Sequence, residues 1–162
     1  MIDLHGKIIK LLDEAKVPYK ESHHEPVRTS EQASMVRGTK LHEGAKALIF
    51  VTEKNPIQII VPGDGRVDKE KVKNALQISK LKMASAEEAE QISSVPVGGI
   101  PPFGNLFDPP IQVYVSSRLL DNEEIEFNAG DRSISIRMKS ADWAKIVNPI
   151  IGDYEEQTAF ST

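Results

Sequence analysis

The stretch AKALIFVTEKNPIQIIVPG, residues 45–63, constrains the fold of this chain more than any other. Two apolar runs, 45–53 and 57–63, are separated by Lys54, Asn55 and Pro56, which predicts two strands joined as an antiparallel hairpin. By the two-residue period of a strand, Ala45, Ala47, Ile49 and Val51 face one side, and Lys46, Leu48 and Phe50 the other. Lys46 is out of place there. An ammonium at the edge of a core must snorkel, lose its proton or hold an anion, because desolvating it unpaired costs roughly several kcal/mol.

The rest of the chain supplies helices and further strands around this hairpin. Leu4, Ile8, Leu11, Leu12 and Ala15 recur at helical spacing until Pro18. Thr29 and Gln32 form a capping box for a short helix ending at Gly38. Asp68 caps a helix running to about residue 79, and Ser85 with Glu88 repeats the capping box ahead of another. Three strands are expected in IQVYVSS, EIEFNAG and SISIRM, the last two joined by a turn at Gly130 and Asp131, and Ser140 caps a final helix containing Trp143. Helices interspersed among strands paired as hairpins predict an α/β domain with α+β character, its sheet mixed and largely antiparallel and surrounded by helices. The length, 162 residues, suits one domain, here 1–150, followed by a tail at 151–162 without a period that is expected to fray.

Composition narrows the chemistry. With no cysteine, disulfides, thiolate metal sites and a cysteine nucleophile are excluded. The N-terminus carries charges throughout, and no stretch reaches the ~18 apolar residues of a membrane span, so a cytoplasmic protein is expected. The net charge of −4 argues against nucleic-acid binding over the whole surface, yet residues 66–82 hold six basic and two acidic side chains. Arg66, Lys69 and Lys73 form a candidate phosphate-binding patch, although a solvated helix face accounts for the same residues.

Two loops invite a ligand. VGGIPPFGN, 97–105, combines paired glycines with paired prolines: the former leave backbone groups accessible and the latter limit the entropy lost in holding them. FNAGDRS, 127–133, places the Asn128 amide at the end of a strand, where it can read a hydroxyl or amine or simply make a turn. His23 and His24 are adjacent and point to opposite sides of an extended chain, while His5 and His42 are distant in sequence, so no metal site is expected. No Gly-x-Ser-x-Gly elbow, phosphate loop or His-Glu-x-x-His pair is present, and no general base is recognisable. An enzyme built this way would rely on positioning and electrostatics.

In order and spacing, HHEPVRTSEQAS at 23–34, AKALIF at 45–50, the Gly-x-x-x-Pro loop from Gly98 to Pro102, and FNAGDRSISIRM at 127–138 resemble the YbaK/prolyl-tRNA synthetase editing-domain family, over residues 3–147. The resemblance implies a deacylase that hydrolyses mischarged tRNA without a cofactor, with the tRNA acceptor end as partner and an aminoacyl-tRNA synthetase as a second. It makes Lys46 the functional lysine, neutralising a phosphate near the 3′-terminal adenosine. It directs Gly98, Gly99 and Pro102 to the amino-acid moiety, and His24, Thr29, Asn128 and Gly130 to the pocket walls. Val97 stands where members often carry arginine, which argues against cysteine-specific editing and leaves alanine, serine, threonine and proline esters open. A binding module that senses the aminoacyl group without turnover is the alternative; a pure interaction protein leaves Lys46 and the glycine–proline loop unexplained.

Overall fold

The hairpin at 45–63 forms the centre of the fold in a computed structural model of the protein, which describes residues 3–26, 35 and 40–157. In chain order the regular elements are α1 (Leu4–Ala15), β1 (Tyr19–His23), β2 (Ala45–Thr52), β3 (Ile57–Pro62), α2 (Lys69–Leu76), β4 (Leu81–Met83), α3 (Ala86–Ser93), β5 (Gln112–Ser116), β6 (Glu124–Asn128), β7 (Ile134–Lys139), α4 (Ser140–Val147) and β8 (Ile150–Gly152). The Thr29–Gln32 capping box and the helix end at Gly38 lie outside the described residues.

The strands divide between two sheets. A mixed sheet of five has the order β4-β2-β3-β5-β8, antiparallel across β4, β2 and β3 and parallel from β3 to β5 and β8. A purely antiparallel sheet of three has the order β1-β7-β6. One parallel bridge, Gly44 to Glu126, links the mouth of β2 to β6.

Every residue of β3 is buried, as a central strand covered on both faces requires. On one face, Ala45, Ile60, Val113 and Val115 join Ile8 and Leu12 of α1, Phe127 and Ile136 of the smaller sheet, and Trp143 of α4 in the main core. On the other face, Phe50, Ile57, Ile59 and Val61 pack against Val72 of α2 and against Tyr154. The faces expected for β2 are those observed: Ala45 enters the first core and Phe50 the second, which puts Lys46 on the side of α2.

Local chemistry explains most helix boundaries. The Asp3 carboxylate accepts from Gly6 N to start α1, Asp68 accepts from Glu70 N and Lys71 N at α2, and Ser85 with Glu88 makes the reciprocal box at α3. Ser140 does not cap α4. It is the first helical residue, and its hydroxyl donates to Asn122 O at 2.5 Å, a carbonyl the loop before β6 leaves within reach. The expected fraying is corrected for the described part of the tail, residues 151–157. Residues 150–152 form β8, and Tyr154 and Glu155 are buried, at 3% and 7% exposure. A buried ring and a paired carboxylate hold this segment where periodicity gives no signal.

Candidate active site

The Gly-x-x-x-Pro loop is clasped from three directions. From β6, the Asn128 side chain donates through Nδ2 to Gly98 O. From β3, the wholly buried Gln58 donates through Nε2 to Pro101 O and accepts Gly104 N at Oε1, each at 2.8 Å. From α4, Trp143 Nε1 donates to Pro102 O at 3.0 Å. In addition, Gly130 N donates to Gly99 O at 2.9 Å. Gly98 and Gly130 both have positive φ, 98° and 89°, which explains why glycine stands at these two positions. At Gly99 a Cβ would lie 3.1 Å from Asp131 N, so the loop and the β6–β7 turn touch backbone to backbone.

His24 and Asn128 meet through Ser135, which sequence reasoning did not single out. The His24 ring places Nδ1 2.8 Å from Glu25 O, a carbonyl that can only accept, and Nε2 2.6 Å from Ser135 Oγ. Ser135 Oγ lies 3.5 Å from Asn128 Oδ1, its cross-strand partner in the β6–β7 register. The signal was the alternation SISI, which sends Ser135 to the side opposite Ile134 and Ile136. A serine hydroxyl on a histidine nitrogen has the geometry of an activated nucleophile, but Ser135 is only 1% exposed and stands inside the wall.

Lys46 stands at the mouth of β2, where the parallel Gly44–Glu126 bridge brings that strand beside β6. Ala45 and Phe127, the next residue on each strand, both enter the main core. The partly buried Lys46 ammonium donates to Gly65 O at 2.6 Å, so it is held at the sheet mouth instead of snorkelling into bulk water.

The same polar side of the small sheet carries Arg137, whose guanidinium bonds Glu43 and Glu124 at 3.0 Å each and lies 3.9 Å from Glu126. Burial pushes the Glu43 carboxyl up, but the Lys40 N–H and the Arg137 guanidinium outweigh it and hold Glu43 below its ordinary value. Among the described residues, no group of three His, Cys, Asp or Glu side chains is arranged to hold a metal ion.

The other candidates are placed as follows. Gly99 and Pro102 are buried, so they shape the loop from beneath, while Gly98 is partly exposed and Val97 is 47% exposed at its rim. Thr29 lies outside the described residues. Arg66 and Lys69 are exposed next to the Gly65 turn, whereas Lys73 pairs with Glu70 at 2.9 Å along α2. Gln58 and Trp143, as clasps of the loop, went unrecognised. A lone glutamine inside the fully apolar run of β3 was the available signal for the first.

Known proteins resemble this chain over most of its length. Residues 24–146 match the family described as the aminoacyl-tRNA editing domain. The multifunctional Ser/Thr-tRNA deacylase ProXp-y of Escherichia coli K12 is 30% identical over 150 residues, covering 90% of this chain and 89% of that one. The proline–tRNA ligase of Thermosipho africanus is 27% identical over 146 residues, 87% of this chain but 26% of the ligase. A solved structure proposed to be a trans-editing enzyme for prolyl-tRNA synthetase shares the fold, with a TM-score of 0.82 at 22% identity over 97% of this chain and 99% of that one. The chain belongs to the aminoacyl-tRNA editing domain family.

Proposed function

We propose that this chain is a trans-editing aminoacyl-tRNA deacylase that acts on small amino acids esterified to the 3′ end of a tRNA, with seryl and threonyl esters its best substrates. The observation that carries the reading is Lys46, an ammonium fixed by Gly65 O at the mouth of a buried sheet, where β2 opens beside β6, the strand whose Asn128 amide holds the Gly98 carbonyl. An ammonium has three N–H donors, so the bond to Gly65 is compatible with a charge-assisted contact to the phosphate of the terminal adenosine.

With the 3′ end held, the aminoacyl ester lies against the Gly98–Pro102 loop. Water attacks the ester carbonyl, the bond from that carbon to the ribose oxygen breaks, and the ribose oxygen takes a proton, releasing the amino acid and intact tRNA. The protein lends position and field to this reaction and no nucleophile. Arg66 and Lys69, beside the turn that holds Lys46, are the proposed contacts for the acceptor-end backbone. The choice of hydroxylated side chains is supported by the partly exposed polar groups of His24 and Asn128, backed by the buried Ser135, and by the name of the Escherichia coli relative. A wall built to hydrogen-bond a hydroxyl discriminates against the analogue lacking one. Relatives within proline–tRNA ligases support tRNA for proline, and that synthetase, as the partners.

The test is deacylation of tRNAs carrying alanine, serine, threonine, cysteine or proline, by wild type and Lys46→Ala in parallel. Serine and threonine esters should turn over, and the mutant should lose roughly 100-fold in kcat/KM. Turnover of no ester would overturn the enzyme reading and leave a binding module.

A further inference from the structure

Lys46 is aimed by a carbonyl, and that carbonyl is itself held by a charged cluster remote from the wall described above. Gly65 sits in a tight turn, with Gly65 N donating to Pro62 O at 2.8 Å. Residues 153–156 lie along the outside of this turn: Asp68 N donates to Tyr154 O at 2.8 Å, Glu156 N donates to Arg66 O at 2.9 Å, and Val67 bridges Glu155.

The Glu155 side chain then turns inward. Its carboxylate accepts Arg118 chiefly through one oxygen, Oε1, 3.1 Å from Nε and 2.7 Å from Nη2, while Ser116 Oγ donates to Oε2. Arg118 Nη2 also donates to Asp64 Oδ1 at 2.7 Å, on the turn itself. Lys71 Nζ fixes the strap from α2, donating to Glu155 O at 2.8 Å and Asp153 Oδ2 at 3.0 Å. There is no slack at Gly65: a Cβ there would overlap the Glu155 carboxylate and stand 3.0 Å from Arg118 Nη2.

An ion pair whose arginine is partly exposed adds little net stability. What it does add is direction, because two guanidinium N–H groups converge on Glu155 while Nη2 also donates to Asp64, so Arg118 ties the strap to the turn. The position fixed here is that of the Gly65 peptide, whose carbonyl holds the Lys46 ammonium.

We infer that residues 153–156 are a positioning strap for the editing site, in which Glu155, through Arg118 and Asp64, sets the Gly65 carbonyl and thereby the direction of Lys46. The inference rests on the functional reading of Lys46 above and extends it to a segment beyond the residues, 24–146, that match the family. Glu155 and Arg118 are positioning residues, since they reach the substrate only through Lys46.

The experiment combines a spectroscopic and a coupling readout on the full chain. In lysine-¹⁵N-labelled protein, a hydrogen-bonded Lys46 ammonium gives a slowly exchanging signal, assigned by its loss in Lys46→Ala. Glu155→Gln should broaden or abolish it. Asp64→Asn, on the exposed side of the turn, should shift it without threatening the fold. Affinity is then measured for tRNA carrying amide-linked serine, which cannot be hydrolysed. Glu155→Gln should weaken binding about tenfold, and the same change made on Lys46→Ala should add nothing, because contacting residues in one network are non-additive.

An ammonium signal that survives both variants, or an equal loss of affinity in the two backgrounds, would overturn the strap. A thermal midpoint that falls while the coupling stays zero would likewise make Glu155 merely structural. If Lys46→Ala itself binds and hydrolyses like wild type, it is the functional reading of Lys46 that fails, and the ammonium signal still decides whether the strap holds it.

Discussion

Replacing Gln58 by leucine tests whether the glycine–proline loop is held by the core. The side chain is fully buried in β3 and makes two hydrogen bonds of 2.8 Å, one to each end of the Pro101–Gly104 segment. Leucine fills nearly the same space but leaves Pro101 O and Gly104 N without partners. Each orphaned buried group costs about 1–3 kcal/mol, so the pair costs roughly 2–6 kcal/mol. Burying a leucine there returns about 1.5–3 kcal/mol. Taking the middle of each range, the net expectation is a loss of about 2 kcal/mol. The protein can lessen this cost only by letting the loop swing to water, which displaces the pocket. Urea unfolding should therefore show a lower midpoint at unchanged m-value, and deacylation of the preferred ester should show a raised KM, a lowered kcat, or both. A stability loss under about 0.5 kcal/mol together with wild-type kcat/KM would refute the reasoning, because neither the orphaned groups nor a displaced loop would then exist.

Gly130→Ala should destabilise by about 1–3 kcal/mol in urea unfolding, since φ is 89° there and the new Cβ would lie 3.0 Å from His5 N; a loss within error would mean the turn relaxes freely. The Arg118 hydrogen bond holds the Asp64 carboxyl below its ordinary 3.8. A carboxyl depressed in the folded state contributes stability above its unfolded pKa, and loses it as the pH falls through the folded pKa. The urea midpoint of wild type should therefore drop more steeply below pH 3.8 than that of Asp64→Asn, by a small margin because the pair is partly exposed; parallel curves would remove the linkage. Val97→Arg should change the ranking of esters in the deacylation panel without moving the thermal midpoint, because Val97 is 47% exposed at the loop rim; an unchanged ranking would place position 97 outside the pocket.

The parts of the fold legible in the sequence are those whose signal is local. The β2–β3 hairpin announces itself by apolar alternation, and α3 by a capping box whose two hydrogen bonds are both present. β4 and β8, three residues each, carry no such signal and exist because a neighbouring strand offers them a ladder. Ser140 had the right residue type for a cap and a better acceptor nearby in Asn122 O. The segment after β8 was least legible. Its anchor is a carboxylate 37 positions from its arginine, and nothing local in DYEEQ distinguishes Glu155 from a surface glutamate.

The candidate site shows the same division with a consequence for how such an enzyme discriminates. Lys46 was legible because a charge broke an apolar pattern, the loop because glycine and proline are needed for its backbone, and Asn128 as an amide ending a strand; that Asn128, Gln58 and Trp143 clasp the loop was not, because they come from three separate elements. Three successive anchors on the carbonyls of Gly98, Pro101 and Pro102 over-determine the loop. A surface lacking an obvious nucleophile has to gain its rate from holding ester and water in one geometry, and that gain disappears when the wall moves by about an ångström. Tying the wall to β3, β6 and α4 makes the shape of the pocket as stiff as the core. In the reading proposed above, selectivity among small esters, in which a methyl or hydroxyl is worth only about 1–3 kcal/mol, then rests on fixed packing along this wall.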